Sequence, residues 1–196
     1  MKTKSAWDEF VLACKNCTGC GLAKNRNNVV IGRGTNLNAE IMLIGEGPGE
    51  QEDLIGQAFV GRAGKLLDLL MDALMFDPDD YYICNIVKCR PPGNREPLKE
   101  EAVACLPWLR YQVKYIKPKI IVCMGSTALK YIVDENVKIT KVRGTWIERP
   151  GFFRIMPTYH PSAALRDPGK KEEMYHDMKK VREYLKELKQ EIKMGS

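Results

Sequence analysis

The sequence predicts an α/β fold, a three-layer α/β/α arrangement around a central, mostly parallel four-stranded sheet, and three observations carry the prediction. Four short apolar runs rich in β-branched residues punctuate the chain, at 41–44, 81–87, 120–124 and 152–156. Helix-like stretches at 64–75, 98–116 and 127–133 lie between them, so strands and helices alternate as in a parallel sheet. The 196 residues, 44% of them hydrophobic, suit one core better than two. With neither an internal repeat nor a low-complexity linker in view, we expect a single domain over 1–196 with a C-terminal helix.

Taken in order, the elements also place the chemistry. The first run ends in Gly45-Glu46-Gly47-Pro48-Gly49-Glu50, and the 64–75 stretch follows as a helix. The second run carries Asn85 near its end and precedes the 98–116 helix. The third ends in Gly125-Ser126, where the 127–133 helix begins, and the fourth leads to His160-Pro161-Ser162. Residues 170–193 read as a charged amphipathic helix with Met174, Met178, Val181, Leu185 and Leu188 on one docking face. Ligands of open α/β sheets bind beyond the carboxyl ends of the strands. A carboxylate, an amide and an imidazole are therefore expected on one rim.

Composition narrows the partners less sharply. The formal charge of +6, from 31 Lys and Arg against 25 Asp and Glu, suits a polyanion without requiring one. No apolar run reaches the roughly 20 residues of a membrane span, and the opening Met-Lys-Thr-Lys-Ser lacks the apolar stretch of a signal peptide. The expectation is a cytoplasmic protein that does not engage a membrane. Seven cysteines in that reducing compartment point to metal ligands, catalytic thiols or core residues rather than disulfides. Cys17-x-x-Cys20 is joined by Cys89 and, after fifteen intervening residues, by Cys105. That one-pair-plus-two-singles spacing leaves both zinc and an iron–sulfur cluster open, because a zinc ribbon usually presents a second Cys-x-x-Cys. Cys84 and Cys123, inside apolar strands, read as small hydrophobes.

Singly, the glycine-rich turn could be an ordinary strand-to-helix connection and His160 a satisfied loop histidine. The ordered set is more specific: Gly-Glu-Gly-Pro-Gly-Glu-Gln-Glu-Asp at 45–53, Ala-Phe-Val-Gly-Arg-Ala-Gly at 58–64, Asn-Ile-Val-Lys-Cys-Arg-Pro-Pro at 85–92 and His-Pro-Ser-Ala-Ala-Leu-Arg at 160–166. Together these motifs closely resemble the family 4, iron–sulfur uracil-DNA glycosylases, over nearly the whole chain up to about residue 168.

The resemblance implies a monofunctional DNA-repair hydrolase that cuts the N-glycosidic bond of deoxyuridine, releases uracil and leaves an abasic site. Its substrate is uracil-containing DNA, single- or double-stranded, and the protein acts as a monomer. An enzyme working on a base in DNA rotates that nucleotide into a pocket. There the resemblance makes Phe59 the stacking face and Asn85 the reader of the uracil edge, with Gly47 also on the base-binding side. Glu52 lies where an acidic side chain closes position 5 against thymine. Glu46 positions or activates the attacking water, and a neutral His160 stabilises charge developing on uracil O2. Leu165 is the candidate wedge, while Arg166 and backbone amides at 49–50 and Ser162 can meet phosphates. Cys17, Cys20, Cys89 and Cys105 are the implied [4Fe–4S] ligands, leaving Cys14 as the spare. Two other readings are a uracil-DNA-trapping protein and an iron–sulfur electron carrier. Trapping relatives carry an extra Arg- and His-containing loop, whereas the corresponding region here, Lys-Ile-Thr-Lys-Val-Arg-Gly-Thr-Trp at 138–146, has no histidine. An electron carrier would give Glu46, Asn85 and His160 no reason to coincide.

Overall fold

The computed structural model describes residues 5–149 and 153–194. Helix α1 (Ala6–Lys15) starts at a reciprocal cap between Ser5 and Asp8. A short strand β1 (Arg33–Gly34) precedes β2 (Ile41–Gly45), then α2 (Glu50–Ile55), α3 (Arg62–Ala73) and β3 (Tyr81–Asn85). The 18-residue α4 (Lys99–Ile116) leads to β4 (Ile120–Met124), α5 (Ser126–Ile132) and the single turn α6 (Ile139–Val142). The chain closes with β5 (Ile147–Arg149), β6 (Phe153–Thr158), the short α7 (Pro161–Ala164) and the long α8 (Pro168–Met194).

The sheet has six strands in the order β1-β3-β2-β4-β6-β5. Its central four, β3-β2-β4-β6, are parallel and correspond to the four apolar runs. The expected count of four is corrected by β1 and β5, which add antiparallel edges to β3 and β6. Two- and three-residue strands are too short to leave an alternating pattern, so nothing in the sequence announces them. The fourth strand also runs on through Pro157 and Thr158; Phe152, expected in it, lies outside the described residues.

Every residue of β2, β3 and β4 is buried, as expected when helices cover both faces of a parallel sheet. Alternation along each strand divides the core in two. Met42, Ile44, Tyr82, Cys84, Ile121 and Cys123 face α1, α4 and α5. Ile41, Leu43, Ile83, Ile120, Val122 and Met124 face α3 and α8, where Met174, Met178, Val181 and Leu185 of the expected docking stripe are fully buried and Leu188 packs at the edge. Helix α8 is further tied to the end of β6. The fully buried Asp177 accepts from Thr158 Oγ1 at 2.8 Å and from Arg143 Nε at 3.0 Å. The carboxyl ends of β2, β3, β4 and β6 thus share one rim, bearing Glu46, Asn85, Gly125 and His160.

Candidate functional site

Gly45, the last residue of β2, makes the notch on which the site depends. A Cβ there would stand 2.6 Å from Asn85 Oδ1 and 2.7 Å from Phe59 Cζ, so only glycine lets those two side chains meet beside the strand. Asn85 is 1% exposed, yet its Oδ1 has no hydrogen-bond partner among the described residues. A buried amide oxygen left unpaired costs on the order of 1–3 kcal/mol, so this acceptor is one that a donor from outside the chain would satisfy. Phe59 is buried with a left-handed backbone, φ 54°, sparsely populated for a bulky residue. Gly64 makes that shape possible, since a Cβ at 64 would fall 1.7 Å from the Phe59 carbonyl oxygen. The Phe59 ring lies 5.6 Å from that of His160, centroid to centroid.

Glu46 follows Gly45 directly. Its own carbonyl accepts the Val87 N–H at 3.1 Å, continuing the β2–β3 ladder past the end of β3 and fixing the residue against the sheet. Its Oε2 accepts the buried Thr127 hydroxyl at 2.5 Å, and Glu96 Oε1 stands 3.5 Å from the same hydroxyl. Burial raises the Glu46 carboxyl above the usual carboxylate range; the Thr127 hydrogen bond pulls against this, and the nearby Glu96 charge adds to it. Glu46 is therefore a half-buried carboxyl with one oxygen anchored and the other without a hydrogen bond among the described residues.

His160 caps α7. Its Nδ1 accepts the Ser162 backbone N–H at 3.2 Å and faces the Ser162 hydroxyl at 2.8 Å. With Nδ1 used as an acceptor, the ring proton belongs on Nε2. Burial first, and the Arg166 charge second, push His160 down to about 4, although the residue as a whole is only half-buried. The imidazole is a neutral donor at physiological pH. Gly125, in a left-handed conformation (φ 91°), packs against it; a Cβ there would lie 3.0 Å from His160 Cβ.

The remaining expected site residues divide by what they already hold. Glu52 binds two backbone amides, Gly49 N–H at 3.1 Å and Gly61 N–H at 2.8 Å, and so clamps the turn after Glu46 to the loop after Phe59. Gly47 lies against the loop beyond β3, where a Cβ would sit 2.8 Å from Val87 Cγ2. Ser162 has both its N–H and its hydroxyl turned to His160, so it orients the imidazole; the phosphate-facing amide expected there is already engaged. Leu165, 42% exposed at the end of α7, projects away from the core, and Arg166 is exposed beside it. Glu46, Asn85, Phe59 and His160 thus converge around Gly45, with Leu165 and Arg166 on the adjoining surface.

On the other side of Asn85, Cys17, Cys20, Cys89 and Cys105 line one narrow pocket with a cavity of about 20 Å3. Among the described residues, no three His, Cys, Asp or Glu side chains are gathered as closely as a single ion needs. The donor set suits thiolates. Cys17 Sγ accepts from Trp108 Nε1 at 3.3 Å and Gly19 N–H at 3.4 Å, Cys89 Sγ from Arg26 Nη1 at 3.4 Å, and Cys105 Sγ from Lys88 N–H at 3.3 Å. Burial holds the free Cys89 thiol up and pushes Cys105 to about 11, so binding a metal here must displace protons. Cys14, the expected spare, lines the same pocket; it is fully buried, and burial pushes it up to about 12. Cys84 and Cys123 are buried in strands, as expected.

Several contributors were not singled out in the sequence: Thr127, Glu96, Trp108, Arg26, Lys88 and Asp53. Asp53 is 1% exposed and accepts the backbone N–H groups of Asn27 and Asn28 at 3.0 and 3.1 Å, tying α2 to the segment that follows the cysteine pair. Asp53 stands in the polar run Glu50-Gln51-Glu52-Asp53, which offers no local signal that it is the buried one. For Thr127 and Glu96 there was none either, because their partner lies far away in the chain.

A family model described as the uracil DNA glycosylase superfamily matches residues 31–189. The type-4 uracil-DNA glycosylase of Thermotoga maritima is 47% identical over 175 residues, covering 88% of this chain and 91% of that protein. The type-4 enzyme of Sulfurisphaera tokodaii is 45% identical over 183 residues, 89% of this chain and 81% of its own. That of Saccharolobus solfataricus is 44% identical over 179 residues, 87% and 82% of the two chains.

Proposed function

The chain belongs to the uracil DNA glycosylase superfamily, alongside its type-4 members, and from that premise we propose how it removes uracil from DNA. The observation that carries the reading is the unpaired, buried Oδ1 of Asn85 beside the Gly45 notch. A flipped uracil offers an N3–H donor and an O4 acceptor on one edge, which match the acceptor and donor of one amide. Cytosine offers the opposite polarity and leaves both Asn85 groups opposed. Phe59 supplies the stacking face, and the Glu52 clamp holds its loop against the turn bearing Gly47, so that bulk at position 5 is excluded by a rigid wall.

Bond cleavage separates charge: the sugar becomes oxocarbenium-like and the departing uracil anionic. The free oxygen of the Glu46 carboxylate receives a proton from the attacking water and faces the cationic sugar. The Nε2–H of neutral His160 donates to the anionic uracil O2, an oxyanion-type contribution of roughly 100- to 1000-fold. Ser162 keeps that proton on Nε2 by occupying Nδ1. Leu165 enters the stack vacated by the flipped nucleotide and Arg166 meets a neighbouring phosphate, in single- or double-stranded DNA and with one protein copy sufficing.

Cys17, Cys20, Cys89 and Cys105 are the residues that fit a [4Fe–4S] cluster, whose chemistry when bound is a tie between distant chain segments. Glycosidic hydrolysis transfers no electrons, and Glu46, Asn85 and His160 leave no redox step to fill. The Arg26–Cys89 and Trp108–Cys17 contacts support a site that joins the segment after α1 to the loop beyond Asn85 and to α4. Among the described residues no helix is long and apolar enough to cross a membrane.

The test is a uracil-release assay on oligonucleotides with DNA in excess. Many turnovers of free base per protein are expected. Asn85→Asp, which replaces the donor by a second acceptor, should reduce release by more than about 100-fold, since leaving hydrogen-bonding groups unpaired in such a site is strongly discriminating. Stoichiometric capture without free base would instead favour the trapping reading.

A further inference from the structure

The largest fully buried side chain that this chemistry leaves unused is Lys88, 1% exposed between Asn85 and the cysteine pocket. Its Nζ donates to the Asn85 carbonyl at 2.8 Å, while its backbone N–H donates to Cys105 Sγ at 3.3 Å. None of the ion pairs among the described residues includes it. The cations that meet buried carboxylates among the described residues do so as ion pairs, Arg95 on Glu101, Arg143 on Asp177 and Lys189 on Asp80. An ammonium withdrawn from water without an anion is strongly disfavoured, and a negative charge other than a carboxylate is what would hold Lys88 in its charged form. The pocket it lines contains a source of one: four cysteines that bind metal only as thiolates.

We propose that Lys88 is the buried counterion of the iron–sulfur cluster, tuning its stability and potential by charge, and that the same ammonium anchors the Asn85 backbone so that the uracil reader and the cysteine pocket share one strut. The proposal rests on the cluster reading above. Cluster potentials respond to net charge and to hydrogen bonds at the sulfurs, and loss of an outer partner typically lowers metal affinity by roughly 10- to 100-fold. Lys88 is a positioning residue and takes part in no bond-making step.

The experiment uses full-length protein reconstituted anaerobically with iron and sulfide, as wild type, Lys88→Met, Lys88→Gln and Lys88→Arg. Iron content, the rate of iron release to a chelator and the cluster midpoint potential are measured on each. Removing a positive charge favours the oxidised cluster, so Met and Gln should lower the midpoint potential and speed iron release by roughly 10- to 100-fold, while Arg stays near wild type. If the neutral variants hold no iron at all and Arg does, the requirement for charge is met. Neutral variants with wild-type potential and release rate would overturn the proposal, as would an Arg variant that loses the cluster together with them, since shape alone would then be at stake. Wild-type protein that assembles no four-iron cluster would bring down the cluster reading itself, a result visible before any variant is made.

Discussion

Replacing Thr127 with Val should move the acid limb of uracil excision to higher pH by about one unit. Thr127 is buried, and its hydroxyl donates to Glu46 Oε2 at 2.5 Å, so Val keeps the volume and removes only the donor. Hydrogen bonds to charged groups contribute about 1.5–3 kcal/mol, and the half-buried Glu46 keeps some water, which argues for the lower end. At 1.36 kcal/mol per pKa unit, about 1.5 kcal/mol is about one unit. The sign follows from the role. Glu46 works ionised, so activity is present above its pKa and lost as pH falls through it; removing a bond that stabilises the carboxylate raises that pKa further. Glu96 supplies the opposite control. Its charge raises Glu46, so Glu96→Gln should move the same limb to lower pH. His160, pushed down to about 4, stays neutral over most of this window and does not blur it. The assay is single-turnover uracil release at saturating enzyme from about pH 4 to 9, with duplex binding checked in parallel. Superimposable acid limbs in wild type and Thr127→Val would refute the argument that Glu46 is the ionised base held by this hydroxyl.

Three further outcomes are expected. His160→Ala should slow the chemical step by roughly 100- to 1000-fold with little change in thermal stability, and a stability loss at unchanged rate would make His160 purely structural. Leu165→Ala should reduce excision from duplex more than from single strands, because only a duplex restacks against the flipped base; equal losses would contradict its placement as a wedge. Cys89→Ser should cost both iron and soluble protein, whereas Cys14→Ser should keep its iron. Iron analysis by colorimetric assay checks both, and loss of iron on changing Cys14 alone would reassign the ligands.

The sequence by itself determined the parallel core and the composition of the rim. Parallel strands covered on both faces must be apolar at nearly every position, so 41–44 and 120–124 are visible as uninterrupted runs and 81–87 as one broken only by Asn85, and the residues at or beyond the ends of such runs fall at carboxyl ends by geometry alone. The Cys17-x-x-Cys20 pair was equally legible, because its spacing is local. The edge strands β1 and β5 were not, being too short for any period to register. Nor was the tuning of the site. Thr127 meets Glu46 across 81 positions, Trp108 meets Cys17 across 91, and Ser162, which reads as a phosphate contact, proves to hold the histidine beside it. Periodicity and spacing report what a residue does within its own element; which hydroxyl reaches which carboxylate, and which buried lysine lacks one, is decided only when packing brings distant elements into contact.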